Sequence, residues 1–304
     1  MNINNSPSAD KKANMVNSPS AYKKTSQYAD VWRRFKRNKM AMVGLVILSM
    51  LILAAVFANV IADFETEVIR QNIPNRLQPP SAEHWFGTDE FGRDIFARIV
   101  HGARVSLSVG VIAVGISLVI GGFFGAIAGY YGSLVDNIIM RIMDVFLAVP
   151  GMLLAIAIVA ALGSSMTNLM IAVGISSMPV YARIVRASVL TIKDMEFIEA
   201  SRAIGARNMT IILNHIIPNS LAPIIVQSTL GVAGAILATA ALSFIGLGIQ
   251  PPYPEWGAML SGGRTFMRDS PHIVMFPGLF IMLTILVLNM IGDGLRDALD
   301  PRLK

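Results

Sequence analysis

The stretch VSLSVGVIAVGISLVIGGFFGAIAGYYGSLV, residues 105–135, contains no Asp, Glu, Lys or Arg. A helix needs about 20 apolar residues to cross a hydrocarbon core roughly 30 Å thick, because backbone groups find no water partners there. This stretch is therefore predicted to span a membrane. The composition agrees, since 54% of the 304 residues are hydrophobic and only 14% are charged, whereas a soluble domain carries about 25% charged residues.

Further runs without charged residues flank this stretch. The run 145–182 is too long for one crossing, because at about 1.5 Å per residue it would reach about 57 Å. Gly163-Ser164-Ser165 provides a break, so we interpret this region as a hairpin of two spans. The predicted fold is an all-α polytopic membrane protein with six transmembrane helices, at residues 40–62, 105–135, 138–162, 167–184, 220–246 and 270–292.

Basic residues predict the orientation, because short loops rich in Lys and Arg stay in the cytoplasm. Residues 1–28 are polar and are predicted to form a disordered cytoplasmic tail. Residues 29–62 contain a basic segment and the first span; the basic segment suits a short helix in the headgroup region or a simple topology anchor. Residues 63–103 are acidic and are predicted to lie outside the cell. Residues 104–304 then form a core of five spans, and both termini are cytoplasmic.

The net charge of +6 suits anionic lipid headgroups better than nucleic acid, because the basic residues cluster beside apolar stretches. No Lys follows a Gly, which excludes a P-loop ATPase, and no G-x-S-x-G elbow is present. Cysteine is absent, which excludes thiolate zinc sites. The histidines are too dispersed to assign as metal ligands: His84, His101, His215 and His272. We therefore predict no catalytic residue and no cofactor bound by this chain.

No carboxylate or histidine lies deep in a predicted span, where proton-driven and voltage-driven transporters usually carry one. Arg141 and Asp144 are three residues apart near the cytoplasmic end of the third span and are predicted to pair. Two rows of small residues predict close helix contacts, either inside the bundle or with another subunit. These rows are Gly121, Gly125 and Gly129, and Gly231, Ala235, Thr239 and Ser243.

Residues 193–219, KDMEFIEASRAIGARNMTIILNHIIPN, are predicted to form a helix–turn–helix on the cytoplasmic side. Asp194 is placed to cap the first helix, and Gly205 stands where a left-handed residue would end it. Asn208 is placed to cap a second helix, which is expected to stop before Pro218. The small residues beside Glu199 would allow a partner to approach closely; the alternative is an amphipathic surface loop without a partner.

This segment resembles the "EAA" loop of ABC importer permeases. The resemblance is carried by Glu199-Ala200-Ser201, by Gly205 and by Ile217-Pro218-Asn219. Ser201 departs from the family pattern, which has a second alanine. The resemblance implies that Glu199 to Ala203, including Arg202, form a coupling helix that docks on a separate ATPase subunit.

Two further regions are similar to the peptide/nickel subfamily of these permeases, and most to its "C"-type subunit. One is HWFGTDEFGRD at 84–94, and the other is the stretch 241–257, which ends in PEWG. The carboxyl-terminal GDGLRDALDP at 292–301 fits the same subfamily. Read without the resemblance, most of these side chains suit structural roles; Asp94 and Arg98, for example, could pair on a short external helix. The positions carried over are Gly87, Thr88, Asp89, Gly92, Arg93, Asp94, Trp256, Gly257, Asp293 and Asp297.

The resemblance implies the fold of a type I ABC importer permease in a bacterial or archaeal cytoplasmic (inner) membrane. It implies a homologous second permease, two ABC ATPase subunits that carry ATP and Mg, and an extracytoplasmic peptide-binding protein. The implied substrates are di- and oligopeptides, with glutathione, nickel or another small solute as alternatives. A stand-alone ion-coupled secondary transporter remains a rival, and a membrane-embedded hydrolase is a third class. The sequence alone does not select the cavity-lining residues.

Overall fold

The computed structural model describes residues 27–300, and its described residues form helices joined by short loops, without a named strand. The predicted disorder of the amino-terminal tail falls almost entirely outside these residues. The α-helices are α1 (Gln27–Phe35), α2 (Lys39–Val56), α3 (Ala58–Ile61), α4 (Ile95–Tyr131), α5 (Ser133–Ala148), α6 (Gly151–Leu162), α7 (Met166–Ile192), α8 (Glu196–Ala203), α9 (Asn208–Ile211), α10 (Ile217–Asn219), α11 (Leu221–Phe244), α12 (Trp256–Gly263) and α13 (His272–Leu299).

Five helices are each long and apolar enough to cross a membrane: α2, α4, α7, α11 and α13. The pair α5 and α6 passes the same test only when taken together, and the two helices meet at an angle of 86°. The predicted third span is therefore a broken helix, because Val149 and Pro150 separate its two parts. The all-α fold is confirmed, and the six predicted spans are matched when the bent pair α5–α6 is counted as one span.

The predicted hairpin break between the third and fourth spans is also confirmed. Gly163 has φ +89°, and the adjacent Ser165 caps α7 by accepting a hydrogen bond on Oγ from the Asn168 N–H at 3.1 Å. The Asn168 side chain donates back to the Leu162 and Gly163 carbonyls. The turn is thus closed by its own polar groups, so it needs no tertiary partner.

The start of α4 differs from the prediction. The helix begins at Ile95, ten residues before the charge-free run, because Asp94 Oδ1 accepts a hydrogen bond from the Ala97 N–H at 2.8 Å. Its first turns contain Arg98 and His101, which are buried against the outer segment. A search for charge-free runs excludes such residues, although they belong to the same helix.

The helices α4 and α7 form the centre of the bundle. The glycine row of α4 faces α7: a Cβ on Gly129 would lie 2.8 Å from the Val189 Cβ, and Gly125 lies against the backbone of Ala182. Ser117 Oγ donates to the Gly174 carbonyl at 2.7 Å across the same contact. This row therefore serves internal packing, which was one of its two predicted roles.

The second row serves internal packing as well. On α11, Ala235, Thr239 and Ser243 are all buried, and Gly231 lies against the hydroxyl of Tyr181 on α7. Close approach through small side chains is the usual way in which helices pack where lipid supplies no hydrophobic driving force.

The amino-terminal helix α1 packs on the carboxyl-terminal end of α13. Phe35 is buried at 3% exposure beside Gly294 and Ala298, whereas Trp32 is 47% exposed. Asn38 Oδ1 caps α2 by accepting from the Ala41 N–H at 3.1 Å. One side of α1 thus contacts protein and the other stays open, as an interfacial helix requires.

Candidate functional site

The helix α8 has one buried side chain, Ile198. Ile198 is fully buried in a cluster that includes Val189 of α7 and Ile211, Ile212 and Ile216 from the segment after α8. Burial of such a side chain contributes about 1.5–3 kcal/mol. The remaining residues of α8 are exposed or half-buried, so the helix presents most of its surface outward.

Gly205 ends α8 in the predicted manner. Its φ is +82°, its N–H donates to the Arg202 carbonyl at 2.9 Å, and the Ala206 N–H donates to the Ser201 carbonyl at 3.1 Å. These two bonds form a Schellman motif, which satisfies the last carbonyls of the helix. A Cβ at Gly205 would meet no atom within 4 Å. The glycine is therefore required by backbone conformation and not by crowding.

Three expectations about this segment are wrong. Asp194 does not cap α8, which follows Met195 without a side-chain cap. Asn208 is the first residue of α9 instead of its cap, and its Oδ1 accepts a hydrogen bond from the Tyr130 hydroxyl at 2.8 Å. The second helix does not stop before Pro218, because a π-helical turn over Ile212–Ile216 leads into α10 and on towards α11. This wider turn relieves the clash of the proline ring with the preceding turn.

The outward surface of α8 combines small, charged and apolar side chains. Glu199, Ala200 and Ala203 are exposed, and Phe197 and Ile204 are 40% and 86% exposed. An apolar side chain as open as Ile204 beside small residues is typical of a contact surface.

Ser201 and Arg202 of α8 each contact a group of this same chain. Ser201 Oγ donates to the Phe197 carbonyl at 2.8 Å, within its own helix. Its replacement of the family alanine therefore adds no unsatisfied polar group. The Arg202 guanidinium lies 5.4 Å from the ring centroid of Tyr130, near the end of α4.

Ion pairs fix the membrane helices next to this segment. Arg186 of α7 pairs with Asp136 of α5 at 2.5 Å, in a bidentate arrangement. Arg183 of α7 pairs with Asp144 of α5 at 2.7 Å. The predicted Arg141–Asp144 pair does not form, because Asp144 takes a partner from the neighbouring helix.

The HWFGTDEFGRD segment folds around Asp89. This carboxylate is 4% exposed and contacts two buried arginines, Arg93 at 2.7 Å and Arg98 at 3.4 Å. Arg98 also donates to the Val68 carbonyl at 2.8 Å. Thr88 Oγ1 donates to the Asn75 carbonyl at 2.5 Å. The network joins the outer segment to the first turns of α4.

The predicted Asp94–Arg98 pair is wrong. Asp94 caps α4 and contacts His84 at 2.8 Å, while Arg98 turns to Asp89. Gly87 and Gly92 have φ of +78° and +74°, so both turns of this segment use the left-handed conformation that glycine adopts readily.

The PEWG segment fastens the outer loop to α4. Glu255 caps α12 by accepting from the Gly257 and Ala258 N–H groups at 2.9 and 2.8 Å, and the Trp256 indole donates to the Ile99 carbonyl at 3.1 Å. Burial raises the pKa of Glu255, although these N–H bonds oppose the shift. Burial also raises the pKa of Glu90, beside this loop. Sequence reasoning missed Glu255, although an acidic residue directly before a helix is a recognisable cap signal.

The two carboxyl-terminal aspartates lie far from this outer network. Asp293 is exposed on α13, and Asp297 accepts a hydrogen bond from the Asn38 side chain at 3.4 Å. The structure therefore places the predicted positions in three separate regions: the α8 segment, the outer loops, and the end of α13. Among residues 27–300, no group of three or more His, Asp or Glu could hold a metal ion.

Residues 121–304 match the family described as the binding-protein-dependent transport system inner membrane component. The chain belongs to this permease family. Residues 26–80 of the permease also match the N-terminal TM domain of oligopeptide transport permease C. The predicted membership of the peptide subfamily of ABC importer permeases is thereby confirmed.

The permease is similar to named transport permeases along most of its length. It is 54% identical to the dipeptide transport system permease protein DppC of Alkalihalophilus pseudofirmus, over 93% of this chain and 92% of that protein. It is 50% identical to the glutathione transport system permease protein GsiD of Escherichia coli, over 90% of each.

Solved structures confirm the fold. A chain of the inward-facing MetNI methionine ABC transporter matches with a TM-score of 0.55 at 18% identity, covering 67% of this permease and 96% of that chain. A chain of an amino acid ABC transporter matches with a TM-score of 0.51 at 16% identity, covering 66% and 94%.

Proposed function

We propose that this permease forms half of the passage of an ATP-driven importer for di- and oligopeptides. The 54% identity to a dipeptide permease along nearly the whole length supports the substrate class. The partners would be a homologous permease, two ABC ATPase subunits that hold ATP and Mg, and an extracytoplasmic peptide-binding protein. This chain would bind no cofactor and catalyse no reaction itself.

The coupling site would be α8 and its turn, with Glu199, Ala200, Ser201, Arg202, Ala203 and Gly205 as its residues. The observation that carries this proposal is the geometry of α8: one buried isoleucine fixes the helix, while its small and apolar outer surface stays open. Ile217, Pro218 and Asn219 would link the site to α11, because they continue the same helical segment. Movement of α8 would then reach both α7 and α11.

Both termini and residues 193–219 would lie in the cytoplasm, and residues 63–103 outside. In this orientation, the two outer motifs would stabilise the extracytoplasmic end of the bundle, since Asp89 of one and Trp256 of the other both bond to α4. The division into residues 1–28, 29–62, 63–103 and 104–304 remains a prediction.

Co-purification tests the coupling site. Ala200→Arg keeps a good helix former at an exposed position but blocks close approach, so the tagged permease should lose its ATPase subunits. Ala82→Arg is the matched control, because Ala82 is exposed on the outer segment; this variant should retain them. Retention of the ATPases by Ala200→Arg would contradict the proposed docking surface.

Glutathione is a second candidate substrate, because a glutathione permease is 50% identical over 90% of this chain. Uptake of labelled dipeptide, oligopeptide and glutathione by the complete complex separates the two readings. Saturable ATP-dependent uptake of glutathione alone would reject the dipeptide assignment.

A further inference from the structure

The span α5–α6 is interrupted about half-way along its length by the non-helical residues Val149 and Pro150. Its two helices meet at 86°, and the residues on both sides of Pro150 are exposed, with Val149 at 42% and Met152 at 46%. Non-helical backbone is tolerated at this depth only where protein or a water-filled cavity covers it. The face around the break is therefore unsuited to lipid.

A polar strip runs along the same face of α5. Asn137, Arg141 and Asp144 are spaced by four and three residues, so they lie on one side of the helix, and all three are exposed. Arg183 of α7 completes the strip through its 2.7 Å pair with Asp144; the two side chains are 55% and 49% exposed. An open groove of about 500 Å³ follows this surface of α5.

Arg141 makes no hydrogen bond or ion pair within residues 27–300. A charged side chain that faces hydrocarbon is strongly unfavourable, and charges in membrane segments almost always face a bundle interior or a water-filled cavity. The neighbouring sector of α5, about 100–120° round the helix from Arg141, is apolar and open, with Ile142 at 48% and Val135 at 39% exposure. That sector suits lipid or another subunit, whereas the polar strip requires water.

We propose that the polar strip lines the water-filled passage of the assembled importer, and that Arg141 there attracts the carboxylates of the transported solute. This inference rests on the proposed function for the identity of the solute. Two arginines and one aspartate give the strip a net charge of +1 (2 − 1), and Asp144 is already matched by Arg183. The guanidinium of Arg141 is thus free to bind a carboxylate, which its planar donors fit well.

Cysteine labelling tests the aqueous position. The chain contains no cysteine, so single-cysteine variants can be made directly in the complete complex. Asn137→Cys and Arg141→Cys should react with a membrane-impermeant maleimide in inside-out vesicles. Ile142→Cys should not react although it is 48% exposed, because it lies about 100° round the helix from Arg141 at the same depth, and Met143→Cys, at 2% exposure, is the buried control. Absence of labelling at positions 137 and 141 would overturn the passage assignment and favour a dry subunit interface.

Substrate charge tests the role of Arg141. Maximal uptake rates are compared for three dipeptides, alanyl-aspartate, alanyl-alanine and alanyl-lysine, each at saturating concentration and relative to its own wild-type rate. Arg141→Gln should reduce uptake of the acidic dipeptide about fivefold more than that of the basic one. Arg141→Lys should restore most of the difference. Arg264→Gln removes a positive charge from an exposed position elsewhere and should not discriminate.

Equal losses for all three dipeptides would overturn the charge-dependent attraction, because the three share a carboxyl terminus and differ only in the charge of the second side chain. A wild-type complex that imports none of them would instead refute the proposed peptide function, while the labelling pattern would still decide whether the strip faces water.

Discussion

Substitution of Gly205 isolates the contribution of one backbone conformation to coupling. The residue has φ +82°, and a Cβ there would meet nothing within 4 Å, so the penalty comes from the left-handed conformation alone. For a residue with a Cβ this penalty is about 1–2 kcal/mol, which lowers the population of the native turn roughly 5- to 30-fold. Gly205→Val should therefore strongly reduce ATP-dependent uptake in proteoliposomes, while basal ATPase activity persists. Gly205→Asn should reduce it less, because asparagine tolerates this conformation.

Gly163 provides a matched control at the opposite end of the molecule. Its φ is +89° and its surroundings are equally open, so Gly163→Val carries the same backbone penalty in the turn between α6 and α7. It should lower thermal stability by a similar amount without separating ATP hydrolysis from uptake. Normal uptake by Gly205→Val in an assembled complex, or the same uncoupling by Gly163→Val, would refute the reasoning.

Three further substitutions test the packing and the outer network. Gly125→Leu should lower the melting temperature of the purified complex and its yield, because Gly125 lies against α7 backbone; Gly115→Leu, with nothing within 4 Å, should do neither. Asp89→Asn leaves two buried arginines without their carboxylate and should destabilise the protein by about 3–5 kcal/mol, measured by thermal unfolding in detergent. Glu255 has a raised pKa, so its contribution to stability is full below the unfolded value and falls as pH rises through the folded value. Glu255→Gln should flatten the decline in melting temperature above pH 4.5; an unchanged slope would show that this carboxylate does not titrate there.

Several structural features follow from local sequence. Gly163 and Gly205 were expected to end helices, and both do so with left-handed backbone. The glycines of α4 were expected to permit close packing, and Gly125 lies against α7. In each case the determining property belongs to a few adjacent residues, either the absence of a Cβ or a helical spacing, so it can be predicted without knowledge of the neighbours.

Polar side chains were predicted less well, because each has several possible partners. Asp144 was expected to pair with Arg141 but pairs with Arg183, which is distant in sequence and adjacent only after α5 and α7 pack. Asp94 and Asn208 likewise take partners that the fold supplies. An arginine one helical turn from a carboxylate must compete for it with every other cation that folding brings near.

The sequence by itself determined that this chain crosses a membrane several times and belongs with importer permeases. Hydropathy is a sum over residues, and the family motifs are contiguous, so neither requires a contact between distant elements. Only the tertiary structure decided that the third span is broken, that Trp256 fastens the outer loop to α4, and that Arg141 is left without a partner in the described residues. Those properties depend on which surfaces meet, because desolvation and ion pairing are set by neighbours in space.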